Sequence, residues 1–189
     1  METIHFLDDS GAFTLQNPES YSCLYFPLAS EAGLKSAVTP NLGGDCKLDQ
    51  ETFLLEPVSS ENLHANRGTR NFWCVTERGC WSATGVSAEQ EASRFTAEQD
   101  ESRLTAGLMW QTVQRDSRRY ALRSEITAFV PVQENAEILY IRITNTDTAP
   151  QSITGVAAVP IYGRSADNLR DHRNVTSMLH RIRTTEHGV

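Results

Sequence analysis

Long apolar runs are missing from this 189-residue chain. Nothing approaches the roughly 18 consecutive apolar residues that a membrane-spanning helix needs, so no such helix is expected. The opening "METIHFLDDSGAF" lacks a cationic start leading into an apolar stretch, so no secretory signal is expected either. Positive charge is scarce: 17 Lys and Arg stand against 24 Asp and Glu, for a formal charge of −7. Apart from short Arg-rich runs there is no basic stripe, which argues against nucleic acid as a partner. The four cysteines, Cys23, Cys46, Cys74 and Cys80, form no C-x-x-C pair. They do not combine with His64, His172, His180 or His187 at zinc spacings, so structural or surface thiols are expected ahead of metal or disulfide use. Neither glycine-rich nucleotide motif occurs, and no G-x-S-x-G elbow supports a hydrolase triad. No repeat, low-complexity tract or clear linker appears. The expectation is a soluble, cytoplasmic protein kept reduced, binding neither membrane nor nucleic acid.

What is present is ordinary globular material, 39% hydrophobic and 22% charged, enough for one domain with a real core. Period-two alternation dominates. In "AEILYIRITNT", Leu139, Ile141 and Ile143 oppose Tyr140, Arg142 and Thr144. In "YALRSEITAFVP", Leu122, Ile126, Ala128 and Val130 oppose Arg123, Glu125 and Thr127. Such patterns make strands with one buried face. "SRLTAGLMW" and "QSITGVAAVPI" read as further strands, the second apolar enough to be covered on both faces. Polar turns at short intervals favour an all-β, antiparallel sandwich with a meander from about Arg103 to Ile161. Earlier, "TIHFL" and "AFTL" predict a hairpin around "DDSG", and "FWCVTERGCWSATG" one turning at Glu77-Arg78-Gly79. "SYSCLYFPL" and "LKSAVT" read as strands, and "SAEQEASR" as one short helix. The irregular stretch from Thr39 to Arg70 is long enough to be functional or draped over another surface.

Few residues suggest chemistry. The stretch "RSADNLRDHRNVTSMLHR" gathers Arg, Asp and His where the chain leaves an apolar run. Its residues Asp167, Arg170, Asp171 and Arg173 are candidate substrate contacts, the two arginines offering bidentate donors to hydroxyls or a carboxylate. Charge pairing that stiffens a loop is the plainer explanation. The Gly43-Gly44-Asp45 turn permits close ligand approach but reads first as a turn. Trp73, Trp81 and Trp110 are sugar-stacking types. Trp110 alternates with Leu104, Ala106 and Leu108 and is expected in the core, whereas Trp81, beside a hairpin turn, is expected to face a ligand or a neighbouring domain.

Several phrases carry more than sandwich vocabulary. "YFPLASEAGLKSAVTPNLGGDCKLDQETFLLEPVSSENLHANRGTRNFWC", "GCWSATG" and "PIYGRSADNLRDHRNVTSMLHRIRTTEHG" resemble the N-terminal region of the inverting glycoside phosphorylases of glycoside hydrolase family 94. Within that family they are most similar to the 1,2-β-oligoglucan phosphorylases, and the likeness runs from about Leu24 to Val189. The resemblance implies an N-terminal β-sandwich of the supersandwich, galactose mutarotase-like type spanning residues 1–189. In such enzymes a helical linker and an (α/α)₆ barrel follow, and the barrel holds the catalytic Asp and the phosphate site. It also implies β-linked gluco-oligosaccharide as substrate, inorganic phosphate as co-substrate with no other cofactor, and a homodimer.

Inverting phosphorolysis needs a carboxylic acid to protonate the leaving oxygen and a site holding phosphate on the opposite face of the sugar. With both implied in the absent barrel, no catalytic residue is assigned to this chain. "VTSMLHRIRTTEHGV" reads as a strand entering a hairpin without its return, so the sandwich is expected to be incomplete at its C-terminal end. Two other readings stand beside this one: an autonomous carbohydrate-binding module, and a mutarotase-like sugar enzyme using His and Glu.

Overall fold

The computed structural model describes residues 4–21, 24–58, 70–166, 181, 183–186 and 188. In chain order its strands are β1 (His5–Phe6), β2 (Phe13–Gln16), β3 (Phe26–Ala29), β4 (Lys35–Val38), β5 (Cys46–Lys47), β6 (Asn71–Thr76) and β7 (Gly79–Ser82). One helix, α1 (Ala88–Ser93), follows, then β8 (Glu101–Gly107), β9 (Trp110–Ser117), β10 (Leu122–Phe129), β11 (Ile138–Asn145) and β12 (Thr154–Ala158). Every pairing among these strands is antiparallel. The fold is all-β and sandwich-like, as the alternation predicts. A six-stranded sheet runs β1-β2-β8-β9-β10-β11, and two three-stranded sheets run β3-β4-β5 and β12-β6-β7. Among the described residues no helix is long and apolar enough to cross a membrane.

The large sheet is fixed by a row of apolar partners, Leu15–Leu104–Val113–Ile126–Ile141, in register across five strands. Leu104 and Ile126 are fully enclosed, and each such side chain stabilises the fold by about 1.5–3 kcal/mol. A one-residue slip would turn the whole row to solvent, so the register is strongly specified. Residues of all three sheets, Leu28, Val38, Cys46, Cys74, Trp81, Leu122 and Ile126 among them, join in one core cluster. The inner face of the large sheet is also unusually polar, with Ser102, Gln111, Arg115 and Ser124 all buried. Two of them meet carbonyls of the segments lying over them, Gln111 Nε2 donating to Thr39 O at 2.9 Å and Ser124 Oγ to Ala83 O at 3.1 Å, while Ser102 and Arg115 donate to the Glu19 carboxylate. Loop backbone can lie inside the protein here because the facing strands satisfy it.

The expected hairpins occur at β1–β2 and β6–β7. Helix α1 begins with a reciprocal capping box, Ser87 Oγ accepting from Gln90 N and Gln90 Oε1 from Ser87 N. Two expectations need correction. Trp110 is not core: Leu108 and Met109 form a two-residue turn, so Trp110 pairs with Gly107 and points to the outer face, while Gln111 takes the inward position. Alternation cannot be counted through a chain reversal. Strand β12 is not covered on both faces; each of its residues is exposed. It leaves the meander to pair with β6 as the edge of a three-stranded sheet, so its apolar composition is unmatched by cover. The hairpin read in "VTSMLHRIRTTEHGV" falls largely outside the described residues.

Candidate functional site

The candidate contacts Asp167, Arg170, Asp171 and Arg173 lie outside the described residues. The chain leading to them is tied to residues 50–54 by backbone hydrogen bonds. Phe53 and Arg164 exchange backbone hydrogen bonds of 2.9 and 3.2 Å, and Ala166 N donates to Gln50 O at 3.0 Å. The Arg164 guanidinium also lies 4.3 Å from the centre of the Tyr162 ring. The charged stretch therefore departs from beside the irregular segment Gln50–Leu54.

Trp81 is only 1% exposed. In the β6–β7 register it pairs with Cys74, and both point into the core. Its ring stacks on Tyr120 with centroids 6.5 Å apart, and its indole N–H donates to Asp100 Oδ2 at 2.8 Å. Rather than presenting a face to a ligand, Trp81 is the floor of a groove of about 930 Å³ between α1, residues 96–101 and the β9–β10 turn. Gln90 Nε2 joins it by donating to the same Asp100 oxygen at 2.8 Å and to Ser82 O at 2.9 Å. On the groove wall Tyr120 donates its phenol to Glu89 Oε2 at 2.9 Å, and Arg119 pairs with Glu89. Burial, reinforced by the Glu89 hydrogen bond, pushes the Tyr120 phenol up and keeps it protonated.

The groove adjoins a small polar cavity of about 20 Å³, bounded by Glu19, Asn41, Gly85, Arg94, Asp100 and Arg115. That is room for about one water. Arg115 Nη2 stands 2.5 Å from Glu19 Oε1, with side-chain exposures of only 3% and 6%. Burial pushes the Glu19 carboxyl up, but the Arg115 guanidinium and the Ser102 hydroxyl outweigh it and hold the group below its ordinary range. Gly85 makes the contact possible. Its φ is +82°, and a Cβ there would come within 2.5 Å of Arg115 Cζ. Among the described residues Arg115 Nε and Arg94 Nε have no hydrogen-bond partner. Glu19 is an ionised member of an ion pair, a poor proton donor at neutral pH.

The Gly43-Gly44-Asp45 turn does cradle a charged group, and the group belongs to the chain itself. Arg70, 2% exposed, donates through Nη2 to Asp45 O at 2.9 Å and to Ser36 Oγ at 2.8 Å, and through Nη1 to Leu42 O at 3.2 Å. Glu137 closes the arrangement, with Oε1 2.5 Å from Arg70 Nε and Oε2 2.9 Å from Nη2. Gly44 is required because a Cβ would sit 1.9 Å from Ala37 O. Neither Arg70 nor Glu137 stands out in the sequence: 67 residues separate them, and no local pattern links them. Burial first, then the nearby Glu137 carboxylate, pushes the Cys46 thiol up to about 12, and burial raises Cys74 to about 11. Both are inert thiols at neutral pH. Among the described residues no group of three or more His, Cys, Asp or Glu is placed to hold a metal ion.

No family model and no curated protein matches the chain. The chemistry is therefore that of the residues themselves: two buried ion pairs, one of them fully enclosed by its own partners, a groove floored by Trp81, and an exposed β12 edge.

Proposed function

We propose that the chain is the N-terminal β-sandwich module, of supersandwich type, of an inverting glycoside phosphorylase. The whole enzyme would interconvert β-linked gluco-oligosaccharides, β-1,2-linked ones foremost, and sugar 1-phosphate, with inorganic phosphate as co-substrate. In this reading the module is non-catalytic. It packs on a helical barrel that carries the acid and the phosphate site, shapes the substrate entrance, and belongs to a cytoplasmic homodimer.

The sequence phrases quoted above support the family, and the antiparallel sandwich-like fold agrees with it. One observation carries the scaffold role. Strand β12 is uncovered, and through its register Val156, Trp73, Val75 and Cys80 lie on one outer face of its sheet. Val75 and Val156 are exposed there, a surface suited to burial against another domain. The chain alone, given phosphate and sophoro-oligosaccharides, should release no glucose 1-phosphate. A longer protein joining these residues to a helical barrel should release it, and Val156→Glu should weaken the association of barrel and sandwich. Phosphorolysis by the 189-residue chain itself would overturn the reading.

A further inference from the structure

The outer face of the six-stranded sheet is ordered in rungs that no part of the preceding reading uses. One rung is Gly107–Trp110–Phe129–Ile138. The next outward-facing rung is Thr14–Thr105–Thr112–Thr127–Tyr140, hydroxyl side chains on five adjacent strands. The third is Gln16–Arg103–Gln114–Glu125–Arg142. Successive outward rungs are two residues apart, about 7 Å along the strands. The face thus passes from aromatic, to neutral hydroxyl, to amide and guanidinium.

Its parts are held in place. The Trp110 indole lies against Gly107, where a Cβ would come within 2.6 Å of Nε1, and the residue is half-buried on this face. Thr112 and Thr127 share a hydrogen bond of 2.8 Å, and Tyr140 is 56% exposed. Four of the charges pair with one another: Arg123 Nε is 2.6 Å from Asp116 Oδ1, and Arg142 Nη1 is 3.4 Å from Glu125 Oε2. Beside them a shallow depression of about 330 Å³ is lined by Gln16, Arg103, Gln114, Asp116 and Arg123.

We infer that this face binds a neutral oligosaccharide laid across the strands. A pyranose offers an apolar C–H face and a rim of hydroxyls that both donate and accept. Trp110 and Tyr140 match the first, the threonine rung and Gln114 match the second, and Arg103, Arg123 and Arg142 stand against Glu101, Asp116 and Glu125, so the face carries little excess of either sign for an ionic ligand. The site lies on a different sheet from the uncovered β12 and meets the groove beside α1 only at its edge, where Asp116 lines both.

Titration calorimetry of the whole chain with sophoro-, laminari- and cello-oligosaccharides tests the inference, with an anionic polysaccharide as comparison. Binding of a neutral glycan is expected, weakened roughly three- to ten-fold by Trp110→Ala and by Tyr140→Ala. Tyr140→Ala serves as the second variant should Trp110→Ala unfold, and Arg78→Gln, on the β6–β7 turn, should leave binding unchanged. No heat with any neutral glycan at millimolar concentration, binding untouched by Tyr140→Ala, or binding of the anionic polymer alone would each overturn it. So would sedimentation showing that Tyr140→Ala only dissolves a dimer. The choice of glucans as probes rests on the phosphorylase reading. Glycan binding by this chain, with no phosphorolysis by a barrel-bearing protein, would retain the binding face and discard that reading.

Discussion

Arg70 and Arg115 are both buried, and both meet a carboxylate far away in sequence, yet their surroundings differ. Arg70 is enclosed by carbonyls of Leu42, Gly43 and Asp45, by Ser36 and by a two-point contact with Glu137. Arg115 has Glu19 and a long 3.4 Å contact to Thr84 O, finds no partner for Nε among the described residues, and borders a water-sized cavity that adjoins a groove. The first arginine replaces a hydrophobic plug at the centre of an irregular segment. The second is a wall of a polar cleft. A buried charge can be structural in both senses, but only the enclosed one has no solvent to retreat to.

The largest expected effect is therefore at Arg70. Arg70→Met strands Glu137 and three carbonyls and should cost about 3–5 kcal/mol in urea unfolding. Adding Glu137→Leu should recover most of that loss; a double variant as unstable as the single one would mean the carbonyl contacts dominate. Glu19→Gln should cost less, about 2–3 kcal/mol, because water at the cavity can relieve Arg115. It should also alter the acid limb. The folded pKa of Glu19 lies below its ordinary 4.5, so its contribution is complete above that value and is lost as pH falls through the folded pKa. Urea midpoints measured from neutral pH downward should fall less steeply for Glu19→Gln than for the parent below about 4.5. Gly85→Ala, at positive φ and against the Arg115 guanidinium, should cost about 1–2 kcal/mol and shift the guanidinium toward the cavity, visible in its side-chain NMR signal. Smallest of all, Arg118→Gln at the exposed Glu101 pair should change stability by less than about 0.5 kcal/mol.

The strands and hairpins were legible because their causes are local. Alternation from Leu104 to Ile143, turn residues around Asp8-Asp9-Ser10-Gly11, and the Ser87/Gln90 spacing each act within a few residues. Besides Trp81, which proved to be core, three things escaped for definite reasons. Trp110 was assigned inward because its periodicity was extended through a two-residue reversal. The β12 strand was expected to be covered because composition reports how apolar a strand is, not whether anything lies against it. The Arg70–Glu137 contact joins residues with no shared pattern, so only tertiary structure brings them together. The rungs of the outer face were half visible, as Tyr140, Arg142 and Thr144 opposite the apolar positions. Their alignment with Thr14 and Thr112 needed the register.

The partnership of β2 with β8 has a kinetic consequence. Leu15 waits for Leu104, about ninety positions later, whereas β8 to β11 each pair with the neighbour that precedes or follows them. Loop closure over that span carries an entropic cost the meander does not face. During synthesis the first hairpin emerges well before its docking edge exists, so its own edge stays unpaired until β8 has been made.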